Sequence, residues 1–336
     1  MKRLFYFFAI IFFLCVFAFS EENLRSVIDK KGIFMGTCVS LGQLEDPKFV
    51  DILTNNYNYI TPDNDLKWEN VHPGKKVYNF KKIEKFLEFA KKNKMRVRGH
   101  TLIWHTQNPY WIAKPGITPE ELKKVIKEHI TTVVGTLKGK ITDWDVINEP
   151  IADNGEMREN LWYLIIGEEY IEYALKVAHK ADPKAKLFIN DYSIETVCPK
   201  SDTLYNLAKK LKEKNVPLHG IGFQFHLDGR FEPDYESIRQ NFKRFKELGL
   251  EIQITEMDVR LPKNYTEEDL KRQARIFEEV LKIFLSFEGN TFVMWGLTDK
   301  YSWIPGFFPG FGAAHIFDEN FNPKPAYNAI KKVLTE

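Results

Sequence analysis

The sequence predicts a single (β/α)8 TIM barrel with parallel strands, and three observations carry that prediction. Eight short apolar runs recur along the 336 residues, and amphipathic segments lie between them. No Pro-, Ser- or Thr-rich linker interrupts residues 21–336, so the repeat belongs to one domain. Eight strand–helix units in about 300 residues match the size of such a barrel. A doubly wound open sheet is the competing architecture, and its glycine fingerprint after the first strand is missing.

Strands are expected at 33–38, 57–61, 96–103, 141–148, 186–191, 218–226, 251–257 and 291–297. They are short and mostly rich in Ile, Val and Phe, as parallel strands buried on both faces should be. After the first strand, Asp46-Pro47 caps a helix carrying Phe49, Val50, Ile52 and Leu53. The next starts near Asn79 and puts Phe80, Ile83, Phe86, Leu87 and Ala90 on one face. Thr118-Pro119-Glu120-Glu121 is a capping box with Pro at the first helical position. Further helices are expected around 171–178, from Ser201, around 238–245, from Thr266, and from about Pro325 to the end.

Ahead of the barrel, Lys2 and Arg3 precede an almost wholly apolar stretch from Leu4 to Phe19. Ala18-Phe19-Ser20 suits a small-x-small cleavage site, so residues 1–20 read as a signal peptide of a secreted protein. The stretch is shorter than the ~20 residues that span a bilayer, so no membrane is expected for the mature form. Lys2 and Arg3 also account for the formal net charge of +2. The remaining domain is near neutral and has no basic stripe, which argues against nucleic acid as a partner. Cys38 and Cys198 remain in it. Export permits a disulfide, but Cys38 lies within the apolar "FMGTCVS" and the pair reads as free thiols.

Chemistry in such a barrel sits where strands end at the C-terminal face. The fourth strand ends Val146-Ile147-Asn148-Glu149, and the seventh ends Ile254-Thr255-Glu256. Carboxylates rarely terminate such apolar runs without a reason. Two of them facing across a barrel mouth suit glycoside hydrolysis, in which one donates a proton and the other stays ionised. The sixth strand ends Gln224-Phe225-His226. Residues 224 and 226 share one side of a strand, so both are expected beside Glu256, with Asp258 holding His226. Donors there favour the charged form of Glu256.

Other strand ends supply sugar-binding types: Asp63, Asn64 and Lys67; His100, Trp104 and Gln107; Asn190 and Tyr192; Trp295 and Trp303. Rings pack the C–H faces of sugars, and planar polar groups bind their hydroxyls. Trp68, Trp111 and Trp144 are expected in the core. The eight His residues show no HExxH or paired spacing, and neither a phosphate loop nor a GxSxG elbow is present, so no metal or cofactor is expected. These residues alone stop at a retaining or inverting hydrolase of a β-glycan.

Eight motifs then narrow the reading: "TPDNDLKWE", "RGHTLIWHTQNPYW", "WDVINEP", "LFINDYSIE", "HGIGFQFHL", "ITEMDVR", "MWGLTDKYSW" and "FDENFNPKPAY". In these, across nearly all of residues 25–335, the chain resembles the xylanases of glycoside hydrolase family 10. The resemblance implies a retaining endo-β-1,4-xylanase with Glu149 as acid/base and Glu256 as nucleophile. It implies that His226 and Asp258 hold Glu256, and that Asn148 and Gln224 serve the reacting sugar. It implies glycone-side contacts from Asn64, Lys67, His100, Trp104, Gln107, Trp295 and Trp303, and aglycone-side contacts from Asn190 and Tyr192. A cis bond at His100–Thr101 and xylan or xylo-oligosaccharides as partners are also implied, and a monomer is expected. Asp63 departs from the family's usual Glu, which shortens one arm at the second glycone subsite. A cellulase or mixed-linkage glucanase on the same barrel is the nearest alternative. A non-catalytic polysaccharide-binding relative is a second, and it is disfavoured because both Glu149 and Glu256 are intact.

Overall fold

A computed structural model describes residues 23–336. The proposed signal peptide lies outside the described residues. In chain order the strands are β1 (Phe34–Val39), β2 (Tyr59–Pro62), β3 (Arg96–Ile103), β4 (Asp143–Asn148), β5 (Lys186–Asp191), β6 (Gly220–Phe223), β7 (His226–Asp228), β8 (Glu251–Pro262), β9 (Thr291–Met294) and β10 (Phe311–Gly312). Strands β1 to β6, β8 and β9 pair in parallel, and β9 pairs with both β8 and β1. That closes an eight-stranded parallel barrel, the predicted (β/α)8 fold. The short β7 and β10 flank the outer half of β8.

The capping residues start their helices as read. Asp46 accepts from the Lys48 and Phe49 amides ahead of Pro47, and Thr118 and Thr266 form capping boxes with Glu121 and Asp269. Such caps satisfy amides that the first turn leaves unpaired. Ile83, Phe86 and Ala90 are buried beneath one helix, and Phe277, Val280, Leu281 and Phe284 beneath another. Each large apolar side chain so buried contributes about 1.5–3 kcal/mol.

Four local readings need correction. The helix expected from Ser201 begins at Pro199, because Ser201 Oγ accepts from the Cys198 amide and closes the cap from inside the first turn. The helix expected near Asn79 begins at Lys81. The strand expected over 218–226 is two strands, β6 and β7, because Phe225 adopts φ 59° and breaks the extended run. Trp68 and Trp144 are buried as expected, whereas Trp111 is only partly buried at the core's edge. Trp144 fits because its neighbour in register is Gly99, where a Cβ would come within 2.2 Å of the indole. Cys38 is buried in β1, Cys198 is partly buried, and both are free thiols. Among the described residues no helix is long and apolar enough to cross a membrane.

Candidate active site

The floor of the mouth is an ion network inside the barrel. Arg98 on β3 forms a two-pronged pair with Asp145 on β4, and both are buried. Burial alone would raise the Asp145 carboxyl, but Arg98 and His100 beside it hold it below its usual value. His100 Nδ1 lies 3.0 Å from Asp145 and 4.0 Å from Glu256 Oε1. The peptide joining His100 to Thr101 is cis.

Glu256 stands above this floor, 4% exposed. Asn190 Nδ2 donates to its Oε1 at 2.8 Å, and His226 Nε2 lies 3.3 Å from its Oε2. The other ring nitrogen, Nδ1, lies 3.0 Å from Asp258 Oδ2, which also accepts from Trp303 Nε1 at 2.9 Å. Burial opposes charge on His226, but Asp258 and Glu256 outweigh it and lift the imidazole to about 10. At neutral pH His226 is therefore an imidazolium donating from both nitrogens. It presents a cation to Glu256 and is itself oriented by the fully buried Asp258.

Glu149 sits one residue beyond β4, with φ 54°. A positive φ is uncommon for a residue with a Cβ and persists only where surroundings impose it. Here the Glu149 amide donates to Asn190 O at 2.7 Å, and Arg158 Nε donates to Glu149 O at 2.9 Å. The turned backbone aims the carboxyl at a ring of donors. Trp104 Nε1 reaches Oε2 at 2.9 Å, while Asn148 Nδ2 and Gln224 Nε2 reach Oε1 at 3.2 Å each. Gln224 thus serves Glu149 and not Glu256 as expected. The break at Phe225 removes the strand alternation on which that expectation rested.

The two carboxyls are linked through amides. Asn190 Nδ2 donates to Asn148 Oδ1 as well as to Glu256, and Thr255 Oγ1 donates to Asn190 Oδ1. Asn190 is fully buried, with Nδ2 donating to Asn148 and Glu256 and Oδ1 accepting from Thr255. It lies beneath the reacting groups, which departs from the aglycone contact expected of it. Its neighbour in register is Gly222, where a Cβ would sit 2.2 Å from Asn190 Oδ1, so only glycine leaves room for the bridge.

Four of the expected glycone residues, Asn64, Lys67, Gln107 and Trp104, contact one another. Asn64 Oδ1 accepts from Lys67 Nζ at 2.9 Å and from Gln107 Nε2 at 3.1 Å, and Lys67 Nζ lies 5.1 Å from the Trp104 ring centre. Asp63 follows β2, with its amide bonded to Val39 O and its carboxylate beside the Cys38 thiol. Burial, then Asp63, push that thiol up. Trp295 meets His100 edge-on at 5.2 Å, and Trp303 meets His226 edge-on at 5.0 Å. Across the mouth, Tyr192 donates to Asp153 and accepts from Arg158. Among the described residues no group of three His, Cys, Asp or Glu could hold a metal ion.

Several residues in contact with this site escaped the sequence reading. His105 Nδ1 lies 3.6 Å from Glu149 Oε2, and burial lowers the imidazole, so it stands beside Glu149 uncharged at neutral pH. Arg158 ties the Glu149 backbone to Tyr192. Arg98 and Asp145 had a visible signal, charges inside apolar strands. Arg158 had none, being a loop arginine in an otherwise ordinary polar stretch.

Residues 23–333 match the family described as Glycosyl hydrolase family 10. The chain is 45% identical over 329 residues to endo-1,4-beta-xylanase B of Thermotoga neapolitana, covering 96% of this chain and 95% of that one. It is 41% identical over 300 residues to a beta-1,4-xylanase of Dictyoglomus thermophilum, with 84% of each covered. The crystal structure of native xylanase 10B from Thermotoga maritima superposes with a TM-score of 0.90 at 47% identity, covering 93% of this chain and 98% of that one. Xylanase 10B from Thermotoga petrophila RKU-1, solved in complex with xylobiose, gives 0.90 and 47%, over 93% of this chain and 97% of that one. With its barrel closed and both strand-end carboxylates in place, the chain belongs to glycosyl hydrolase family 10.

Proposed function

We propose that the chain is a secreted endo-1,4-β-xylanase that cleaves internal β-1,4-xylosidic bonds of xylan with retention of configuration, by double displacement. The observation that carries the reading is the pairing of two strand-end carboxyls in opposite settings. Glu256 is buried against the His226 imidazolium, while Glu149 is more open and ringed by neutral donors.

In the first step a Glu256 oxygen attacks the anomeric carbon while Glu149 protonates the departing glycosidic oxygen. A covalent glycosyl-enzyme results. In the second step Glu149, now ionised, takes a proton from water as that water attacks the anomeric carbon and frees Glu256. The reading implies carboxyls about 5–5.5 Å apart, the separation that lets one act as nucleophile. The names of the Thermotoga and Dictyoglomus relatives and the xylobiose in the petrophila structure support xylan as substrate.

The test is hydrolysis of xylan beside carboxymethyl-cellulose and mixed-linkage glucan by the same preparation. Faster release of reducing ends from xylan is expected, and preference for either glucan would contradict the substrate. Export is tested by N-terminal sequencing of protein recovered from the medium, which should begin near Glu21.

A further inference from the structure

We propose that Lys200 is a positioning residue for the leaving-group half of the reaction, seating Tyr192 as the platform for the departing sugar and, through Asp191, holding the chain that carries Glu149. The inference rests on the retaining reading above and deepens it.

Lys200 occupies an unfavourable place for a cation. It lies in the first turn of the helix Pro199–Glu213, where the partial positive charge of the helix end repels it, and it is 3% exposed. A buried lysine there requires compensation, and its ammonium has three partners. Nζ lies 3.0 Å from Asp191 Oδ1, 3.4 Å from Asp153 Oδ1 and 3.3 Å from the centre of the Tyr192 ring.

Each partner leads back to Glu149. Asp191 is fully buried. It accepts from the amides of Ile151, two residues after Glu149, and of Tyr192. Asp153 accepts from the Tyr192 hydroxyl, and Arg158 joins that hydroxyl to the carbonyls of Glu149 and Ile151. Lys200 lies over the Tyr192 ring and the Arg158 guanidinium lies 5.9 Å from its centre, while the residue stays partly exposed. A ring tied to the backbone of the proton donor stands where the leaving sugar must lie, because Glu149 protonates that sugar's oxygen. Lys200 therefore touches neither substrate nor Glu149, and acts through Tyr192 and Asp191.

The bland alternative is that Lys200 only neutralises Asp191, and two substrates with two variants separate the readings. Xylotetraose needs both a seated leaving sugar and protonation of the leaving oxygen. A 2,4-dinitrophenyl β-xylobioside needs neither, since its leaving group departs as a stable phenolate. Lys200→Met should lose at least about tenfold more kcat/KM on xylotetraose than on the aryl xylobioside. Because Lys200→Met leaves a buried carboxylate unpaired and risks failing to fold, the Asp191→Asn/Lys200→Met double variant removes both charges. It should recover thermal stability yet keep the selective loss on xylotetraose. Equal losses on the two substrates, or recovery of xylotetraose hydrolysis in the double variant, would overturn the proposal. A wild-type enzyme that fails to cleave xylotetraose would instead refute the retaining xylanase reading, so the two failures are distinguishable.

Discussion

The surroundings of Glu256 and Glu149 differ in burial, charge and backbone, and the contrast matches the roles proposed for them. Glu256 continues an extended strand and is 4% exposed. It is gripped by a charged donor, His226, and a buried amide, Asn190. Glu149 has left its strand on a left-handed turn and meets an indole and two amides, with an uncharged histidine nearby. A group that must stay an anion is given a cation. Glu149, proposed to give up and regain a proton, is given neutral donors. On the proposed mechanism, one barrel rim runs two chemistries by environment.

Glu256→Ala should show the largest effect, a fall in kcat of at least about 10⁴-fold on every substrate, because no covalent intermediate can form. Glu149→Ala should lose about 10²–10⁴-fold on xylan, the usual worth of acid catalysis, and far less on dinitrophenyl xylobioside. Steady-state kinetics on the two substrates separates the roles, and the reverse pattern would exchange them. His226→Asn should cost about 10²-fold in kcat/KM, the scale of losing one aligned donor.

The same histidine predicts a pH dependence. Its pKa rises from an ordinary 6.5 to about 10 on folding, so the folded state binds the proton more tightly. Its contribution to stability is complete below about pH 6.5 and is lost as pH climbs toward 10. Urea unfolding of wild type and His226→Asn should differ most near pH 6.5 and converge toward pH 10. An unchanging difference would contradict the imidazolium. The smallest effect concerns the bridge between the two regions. Gly222→Ala should destabilise by about 1–3 kcal/mol through overpacking against Asn190, measured as a lower unfolding midpoint.

How much of this was legible follows from which forces act locally. Glu149 and Glu256 stood out because a carboxylate ends an apolar run, and His226 with Asp258 was readable from the same strand ends. The capping box at Thr118 and the helix start at Thr266 are local chemistry and read directly. The partner of Gln224 was not legible, since φ 59° at Phe225 leaves no mark in residue type. Nor was the burial of Asn190, which depends on Gly222 of the neighbouring strand. Lys200 looks like any lysine in a helical first turn; only the fold brings Asp191 and Tyr192 beneath it. The resemblance supplied the substrate, which strand ends alone would have left as a β-glycan.

On the proposed mechanism Glu256 attacks and Glu149 shuttles the proton. Proton NMR of the anomeric region during early hydrolysis of xylotetraose tests it most directly. The β-anomer of the newly formed reducing end is expected to appear first and then mutarotate. Initial appearance of the α-anomer would mean a single inverting displacement and would contradict the roles assigned to both carboxyls.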